Sequence, residues 1–406
     1  LVSSLVVVFA LSALAQPQMP APAKPIFDGG RAVEGLPVEI FDRIIYLPVK
    51  FNGTTPLTLA LDTGAGNISA LDKTVADSMG LDLTMVYRGP GGAGADTIEV
   101  YSADSLAIAV HGLSFADRTF FTLPLRRMEP HWGRRKDGLF GGDLLSTLVT
   151  RIDYENERVD FHDASSYEYT GPGETIPVEL FGNSIFIRAE VLLYGREEAV
   201  PALLMVDTGM RLTVFNGPFA MSHSLPAQSP KTTTGVTGFG IGGVSRGTVG
   251  RVRGIRFGSI LIEEPVVNFS IDEGGALADT SFSGILGADI LSRFHVVYDY
   301  SRSRMVMEKN RFFSEPYNFD MSGIRFVMEG EKFDVLKVFS LFDPSPAAEA
   351  GLREDDVVKR IDGRDAASFD REALRGYLER DGKEVRFEIE RGGETKKLSV
   401  RLRKMV

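Results

Sequence analysis

Cysteine is absent from all 406 residues, which excludes disulfides, thiol catalysis and thiolate-bound metal. Histidine is scarce. His111, His131, His162, His223 and His295 are scattered, with no i, i+4 pair to hold zinc from one helix face. A basic surplus is also missing: 45 Lys+Arg face 55 Asp+Glu, a net charge of −10, and a nucleic-acid surface needs a basic face. No Gly-x-Ser-x-Gly elbow points to a serine hydrolase. No Gly-x-x-x-x-Gly-Lys-(Ser/Thr) gives the Gly-rich stretch 235–250 a phosphate-binding role. No cofactor and no metal are expected, and no nucleic-acid partner. Residues 1–15 carry no charge, but that run is too short for a comfortable membrane span.

What is present is a repeated statement. Leu59-Ala60-Leu61-Asp62-Thr63-Gly64 is an apolar run ending in a carboxylate, and Leu204-Met205-Val206-Asp207-Thr208-Gly209 repeats it. A carboxylate at the end of a buried strand is costly unless something compensates or uses it. Two of them, one per copy of an internal repeat, can meet across a pseudo-twofold axis. One then keeps a proton while the other stays charged, which supplies a general acid and a general base in one site.

Other landmarks keep nearly the same spacing. Gly138-Leu139-Phe140-Gly141 returns as Gly284-Ile285-Leu286-Gly287, and Asp143-Leu144-Leu145-Ser146 as Asp289-Ile290-Leu291-Ser292. Asp153-Tyr154 returns as Asp299-Tyr300, and Leu36 to Phe41 as Ile176 to Phe181. Each unit is therefore a lobe rather than a short solenoid repeat.

Paired Asp-Thr-Gly elements, each followed by glycines and then an apolar-apolar-Gly motif, resemble the aspartic proteases. Ala65 after the first triplet and the lobe length resemble the retropepsin-like branch, here fused into one chain, over about residues 36–310. The resemblance implies a mostly β, two-lobed acid-protease fold in which Asp62 and Asp207 are catalytic. Thr63, Gly64, Thr208 and Gly209 would support them, the threonines by hydrogen-bonding across the lobe interface. Leu139-Phe140-Gly141 and Ile285-Leu286-Gly287 would cross beside the two turns. It also implies a flap over bound peptide. Gly91, Gly92 and Gly94 fall where that flap is expected, and Gly238 and Gly240 suggest a second one, since glycines let such a tip move.

The chain changes character after Pro316. Ser345-Pro346-Ala347-Ala348-Glu349-Ala350-Gly351-Leu352, leading to Asp355-Asp356-Val357, resembles the signature of bacterial PDZ domains. That implies an α+β domain whose groove takes peptide as an added strand. Ser322, Gly323 and Ile324 stand where its carboxylate-binding loop would lie, although Met321-Ser322-Gly323-Ile324 departs from Gly-Leu-Gly-Phe.

The organisation expected is a signal peptide over 1–15 and a flexible Pro/Ala-rich lead-in over 16–35. Protease lobes follow over 36–165 and 170–312, and a PDZ domain over 318–404. Ala13-Leu14-Ala15 is an A-x-A cleavage site with Gln16 as first mature residue, so the protein is expected to be secreted or periplasmic. The function expected is peptide-bond hydrolysis by an aspartic endopeptidase acting on extended polypeptide, with a PDZ domain that takes a peptide ligand for substrate docking or regulation.

Four features bear on that expectation. Ala65 and Met210 stand where pepsin has a hydroxyl that favours ionisation, so a less acidic optimum is expected. Arg211 is expected near the dyad, where pairing with a carboxylate would impair it; the alternative is a catalytically silent peptide-binding module on a degenerate protease fold. A third option has residues 16–35 in the cleft, as in a zymogen. The stretch Arg126 to Lys136, which the second lobe lacks and which holds the single Trp, Trp132, either borders the cleft or lies on the surface.

Overall fold

The computed structural model describes residues 23–90 and 96–406. In the first lobe, Ile44–Phe51 turns at Asn52-Gly53, both at positive φ (47° and 80°), into antiparallel Thr55–Leu61. An Asn-Gly pair favours that turn because its twist matches the strands it joins. Thr55–Leu61 delivers Asp62. Gly138–Phe140 lies parallel to it, pairing Leu139 with Ala60 and Phe140 with Leu61, and antiparallel to Ala70–Asp72. The second lobe repeats this: Gly284–Leu286 lies parallel to Val200–Val206 and antiparallel to Val214–Phe215. These strands are buried on both faces, so they read as continuous apolar runs without alternation.

A six-stranded sheet joins the lobes, with Leu148–Asp153 antiparallel to Phe294–Asp299. Arg151 pairs with Val297, its own counterpart in the repeat, as a strand must when it pairs with its copy across a twofold axis. One apolar core runs through both lobes and this sheet.

Part of the expected lead-in is overturned. Ile26–Phe27 pairs with Leu113–Leu123, and Ala32–Pro37 adds to the joining sheet beside Arg158–Asp163. Phe27 and Val33 pack against the core and Leu36 is buried in it. Sheet edges carry unpaired backbone groups that such a segment satisfies. Residues 26–35 are therefore sheet edge, not cleft occupant. The signal segment 1–15, its cleavage site and residues 16–22 lie outside the described residues.

The C-terminal unit has its own core. Its sheet runs in the order Ile324–Glu329, Val335–Leu341, Val357–Ile361, Glu384–Arg391, Glu394–Arg401. Ser345 caps the helix Pro346–Glu349, and Gly351 follows at φ 87°; Asp370 caps the helix Arg371–Leu378. Among the described residues no helix is long and apolar enough to cross a membrane.

Candidate active site

Asp62 and Asp207 meet at the lobe interface, both fully buried. Each is held by its own turn. Ala65 N–H donates to Asp62 Oδ1 at 3.0 Å, and Gly209 and Met210 N–H donate to Asp207 Oδ1 at 2.7 and 3.1 Å. The crossing strands tether the backbone: Asp62 N–H donates to Phe140 O and Asp207 N–H to Leu286 O. Burial pushes the Asp207 carboxyl well above its usual range, and the Asp62 charge and a hydrogen bond between the two carboxyls push it further. The pair therefore holds one proton where isolated carboxyls have lost theirs.

The expected support residues come together. Thr63 Oγ1 donates to Val206 O at 2.8 Å and Thr208 Oγ1 to Leu61 O at 2.9 Å, and each hydroxyl accepts the other threonine's N–H at 3.1 Å. Gly64 approaches so closely that a Cβ there would lie 2.4 Å from the Asp207 carboxyl carbon. Gly209 donates to the dyad as above.

A further layer was not foreseen. Ser69 Oγ donates to Asp143 at 2.6 Å and accepts from Gly141 N–H, while Thr213 Oγ1 donates to Asp289 at 2.8 Å and accepts from Gly287 N–H. Each hydroxyl staples a catalytic turn to its crossing strand. Ser69 and Thr213 lie 144 residues apart against 145 for Asp62 and Asp207, and that near-match was the available signal.

Arg211 does not pair with the dyad. Its Nε lies 2.8 Å from Asp42 Oδ1, so the expected impairment is corrected. Asp42, in the turn between Glu39–Phe41 and Ile44–Phe51, also meets Arg371 and Arg375 of the helix Arg371–Leu378. Burial raises its carboxyl, but the arginines win and hold it far below the usual range.

The 126–136 stretch borders the cleft. It forms a short turn of helix, Glu129–Trp132, ending at Gly133 in the left-handed region. Trp132 is buried, and Lys136 Nζ lies 3.9 Å from the centre of its ring. Lys136 is itself buried; burial lowers its pKa to about 8, opposed by the charges of Asp62 and Asp207. A small cavity of about 10 Å³ against Gly209 is lined by Tyr46, Trp132 and Lys136. No motif marked these residues; only their place in an unrepeated insertion did.

Gly238 and Gly240 lie in the arm Thr233–Gly240, paired with Gly243–Arg251. Ile241 at the tip is buried in the same apolar cluster as Tyr46, Trp132 and Met210. Gly242 O accepts from Asp96 N–H at 3.1 Å, so the tip touches the first hairpin, Thr84–Pro90 with Thr97–Val110. Gly91, Gly92 and Gly94 lie outside the described residues.

In the C-terminal unit, Ser322 and Gly323 N–H both donate to the Asp320 carboxylate, at 2.9 and 2.6 Å, and Ile324 N–H to Ser322 Oγ. Among the described residues, no cluster of three or more His, Asp or Glu could hold a metal ion.

Residues 47–144 match the family model described as aspartyl protease, and residues 321–402 match that described as PDZ domain. No curated protein matches the sequence. Among solved structures the chain is similar to the aspartic proteinase from Irpex lacteus. Identity is 14% over 71% of this chain and 100% of that one, with a TM-score of 0.41.

Proposed function

We propose that this chain, an aspartic protease of two fused Asp-Thr-Gly lobes with a C-terminal PDZ domain, is an endopeptidase that cuts extended polypeptide. The observation that carries this reading is the carboxyl pair: Asp62 and Asp207, from equivalent turns, share a buried site in which the charge of one raises the pKa of the other. The ionised member takes a proton from a water that attacks the peptide carbonyl, while the protonated member polarises that carbonyl. The tetrahedral intermediate then collapses as the dyad protonates the leaving amine. No covalent intermediate is needed. The two proton-transfer roles belong to the pair, not to one residue.

The engagement of Arg211 by Asp42 supports an active dyad over a silent one, since the charge of that arginine is met by a carboxylate outside the dyad. Substrate enters after the second hairpin and the 126–136 stretch move aside, because Ile241 and Trp132 pack in one apolar cluster with Ala65 and Met210, beside the buried dyad. The apolar segment 1–15 with its Ala-Leu-Ala site supports the reading of an exported protein whose mature form begins at Gln16. Amino-terminal sequencing of the protein from its native host checks that.

Purified protein would be incubated with casein between pH 3 and pH 8, beside Asp62→Asn and Asp207→Asn. Cleavage lost in both variants and blocked by a statine-type transition-state mimic is the expected result. Cleavage that survives Asp207→Asn removes the second lobe from the mechanism. Peptide binding with no cleavage at any pH hands the chain to the silent-module reading.

A further inference from the structure

The PDZ groove faces the protease and is filled by it. The groove lies between the sheet-end strand Ile324–Glu329 and the helix Arg371–Leu378. Gly133, at the end of the Trp132 helix, sits between its walls: a Cβ there would lie 2.7 Å from Met328 Sδ and 3.6 Å from Arg371 Cβ. Further along, Ile324, Phe326, Leu374 and Leu378 leave a cavity of only about 60 Å³, which Arg211 and Leu212 of the second lobe also line. An added strand does not fit in that space, so docking on the protease and binding of peptide exclude one another.

The ends of the groove say what would replace the protease. The backbone N–H groups of Ser322 and Gly323, which would grip a terminal carboxylate, are taken by Asp320. A free chain end therefore has no seat. The acidic group the groove does hold is a side chain in the middle of a segment, Asp42, bound by Arg371 and Arg375. If the protease withdraws, those two arginines lose the carboxylate that bonds them and remain beside a cleft lined by Ile324, Phe326, Leu374 and Leu378, with Asp320 and Glu379 also in its lining.

The same contacts reach the dyad. Trp132 and Lys136 are one to three residues from Gly133 and stand in the cleft. His131 stacks on Phe239 of the second hairpin at 3.8 Å and meets Phe339 of the PDZ sheet edge-on at 4.7 Å. Thr234 and Asp343 exchange backbone hydrogen bonds at 3.0 and 2.9 Å, and Arg325 donates to Thr237 O. The hairpin that covers the dyad is thus bonded to the PDZ domain.

We propose that this groove binds an internal, extended polypeptide segment carrying an acidic side chain, and that its binding displaces the 129–133 turn and draws Trp132 and Lys136 away from Asp62 and Asp207. The acidic side chain takes the place of Asp42 on Arg371 and Arg375, flanking apolar side chains fill the cleft, and the backbone adds to strand 324–329. The consequence for cleavage rests on the peptidase reading; the binding step does not.

The test uses the full chain carrying Asp207→Asn, so that peptide is not consumed and a failure of the peptidase reading leaves the result intact. The probe is an amidated decapeptide library without Trp, with one central position fixed as Asp or as Asn. The retained pool should favour Asp by about tenfold, and a free carboxyl terminus should make no difference. The strongest binder, added back, should shift Trp132 emission to the red, because this single tryptophan leaves a buried site. Arg375→Ala should abolish the preference for Asp, with Arg375→Lys restoring part of it. Asp42→Asn, which weakens the competing contact, should tighten binding. No enrichment of Asp over Asn, or a requirement for a free terminus, overturns the proposed ligand. Tight binding without an emission shift overturns the link to the cleft.

Discussion

Arg211 and Asp42 form the ion pair that sits where the opposite face of the pseudo-twofold axis has an amide contact. On that other face Asn183 N–H donates to Asn67 Oδ1 at 3.0 Å. The segment after each lobe's Asp-Thr-Gly turn thus meets the hairpin turn of its partner, Asn67 against Gly182-Asn183 and Arg211 against Asp42. The ionic version occurs only on the side where the PDZ helix adds Arg371 and Arg375. The repeat loses its symmetry at the point where the third domain is attached.

Removing Asp42 should therefore cost more than one ion pair. Asp42→Ala leaves three largely buried arginines without their shared carboxylate, a loss of about 3–5 kcal/mol at neutral pH. Asp42 titrates below its ordinary 3.8, so its contribution is present above that value and disappears as pH falls through the folded value. Denaturant titrations at pH 7 and pH 3 should show a large difference from the parent at the first and a smaller one at the second.

Asp207→Asn should stabilise the fold while removing activity. Asp207 is held above 3.8 by burial and by Asp62, so what stability it contributes is present below 3.8 and lost as pH rises through the folded value. At pH 7 the neutral amide removes the cost of keeping this carboxyl in a site that disfavours its ionised form. Melting points should rise by roughly 2–4 °C at pH 7 and change little near pH 3, with cleavage down ~10²–10⁴-fold. An unchanged melting point at pH 7 contradicts the assigned environment.

Gly64→Ala tests the tight approach across the interface. The new methyl would meet the Asp207 carboxyl at 2.4–2.6 Å, and the turn must yield. Overpacking of this kind costs about 1–3 kcal/mol, and a misplaced carboxylate roughly 100-fold in rate. Circular dichroism should stay native while kcat falls.

Thr208→Val keeps the shape and deletes the hydroxyl. Leu61 O loses its donor and Thr63 N–H its acceptor, both buried, for a loss of about 2–4 kcal/mol. A denaturation midpoint equal to the parent's would show that the threonine pair does not hold the lobes together.

Lys136→Met should move the pH–rate profile. Lys136 is held near 8, below its ordinary 10.5, so the stability it contributes is present above 10.5 and lost as pH falls through about 8; at pH 7 its buried charge is a cost. The same charge favours ionisation of the dyad. The methionine variant should melt higher at pH 7, and its acid limb should lie at higher pH than the parent's. An acid limb that does not move places Lys136 outside the field of the dyad.

The dyad, its threonines and the crossing strands were legible because an internal repeat writes the same chemistry twice, and a carboxylate ending an apolar strand is anomalous wherever it falls. The PDZ signature was legible for a similar reason: Pro346 and Gly351 bracket a short helix in one continuous stretch. Ile26–Phe27 and Ala32–Pro37 were not, because pairing at a sheet edge depends on what lies beside a strand rather than on its own pattern.

The sequence by itself determined which two carboxylates meet as a pair, since that information is local and duplicated. Only the tertiary structure decided that Arg211 serves Asp42, that Lys136 and Trp132 stand over the dyad, and that the groove of the last domain closes on the first. Arg375 and Asp42 are 333 residues apart in the chain. Their pairing follows from how folded units dock, where burial removes water and makes each charge find a partner, and no pattern within one segment records that.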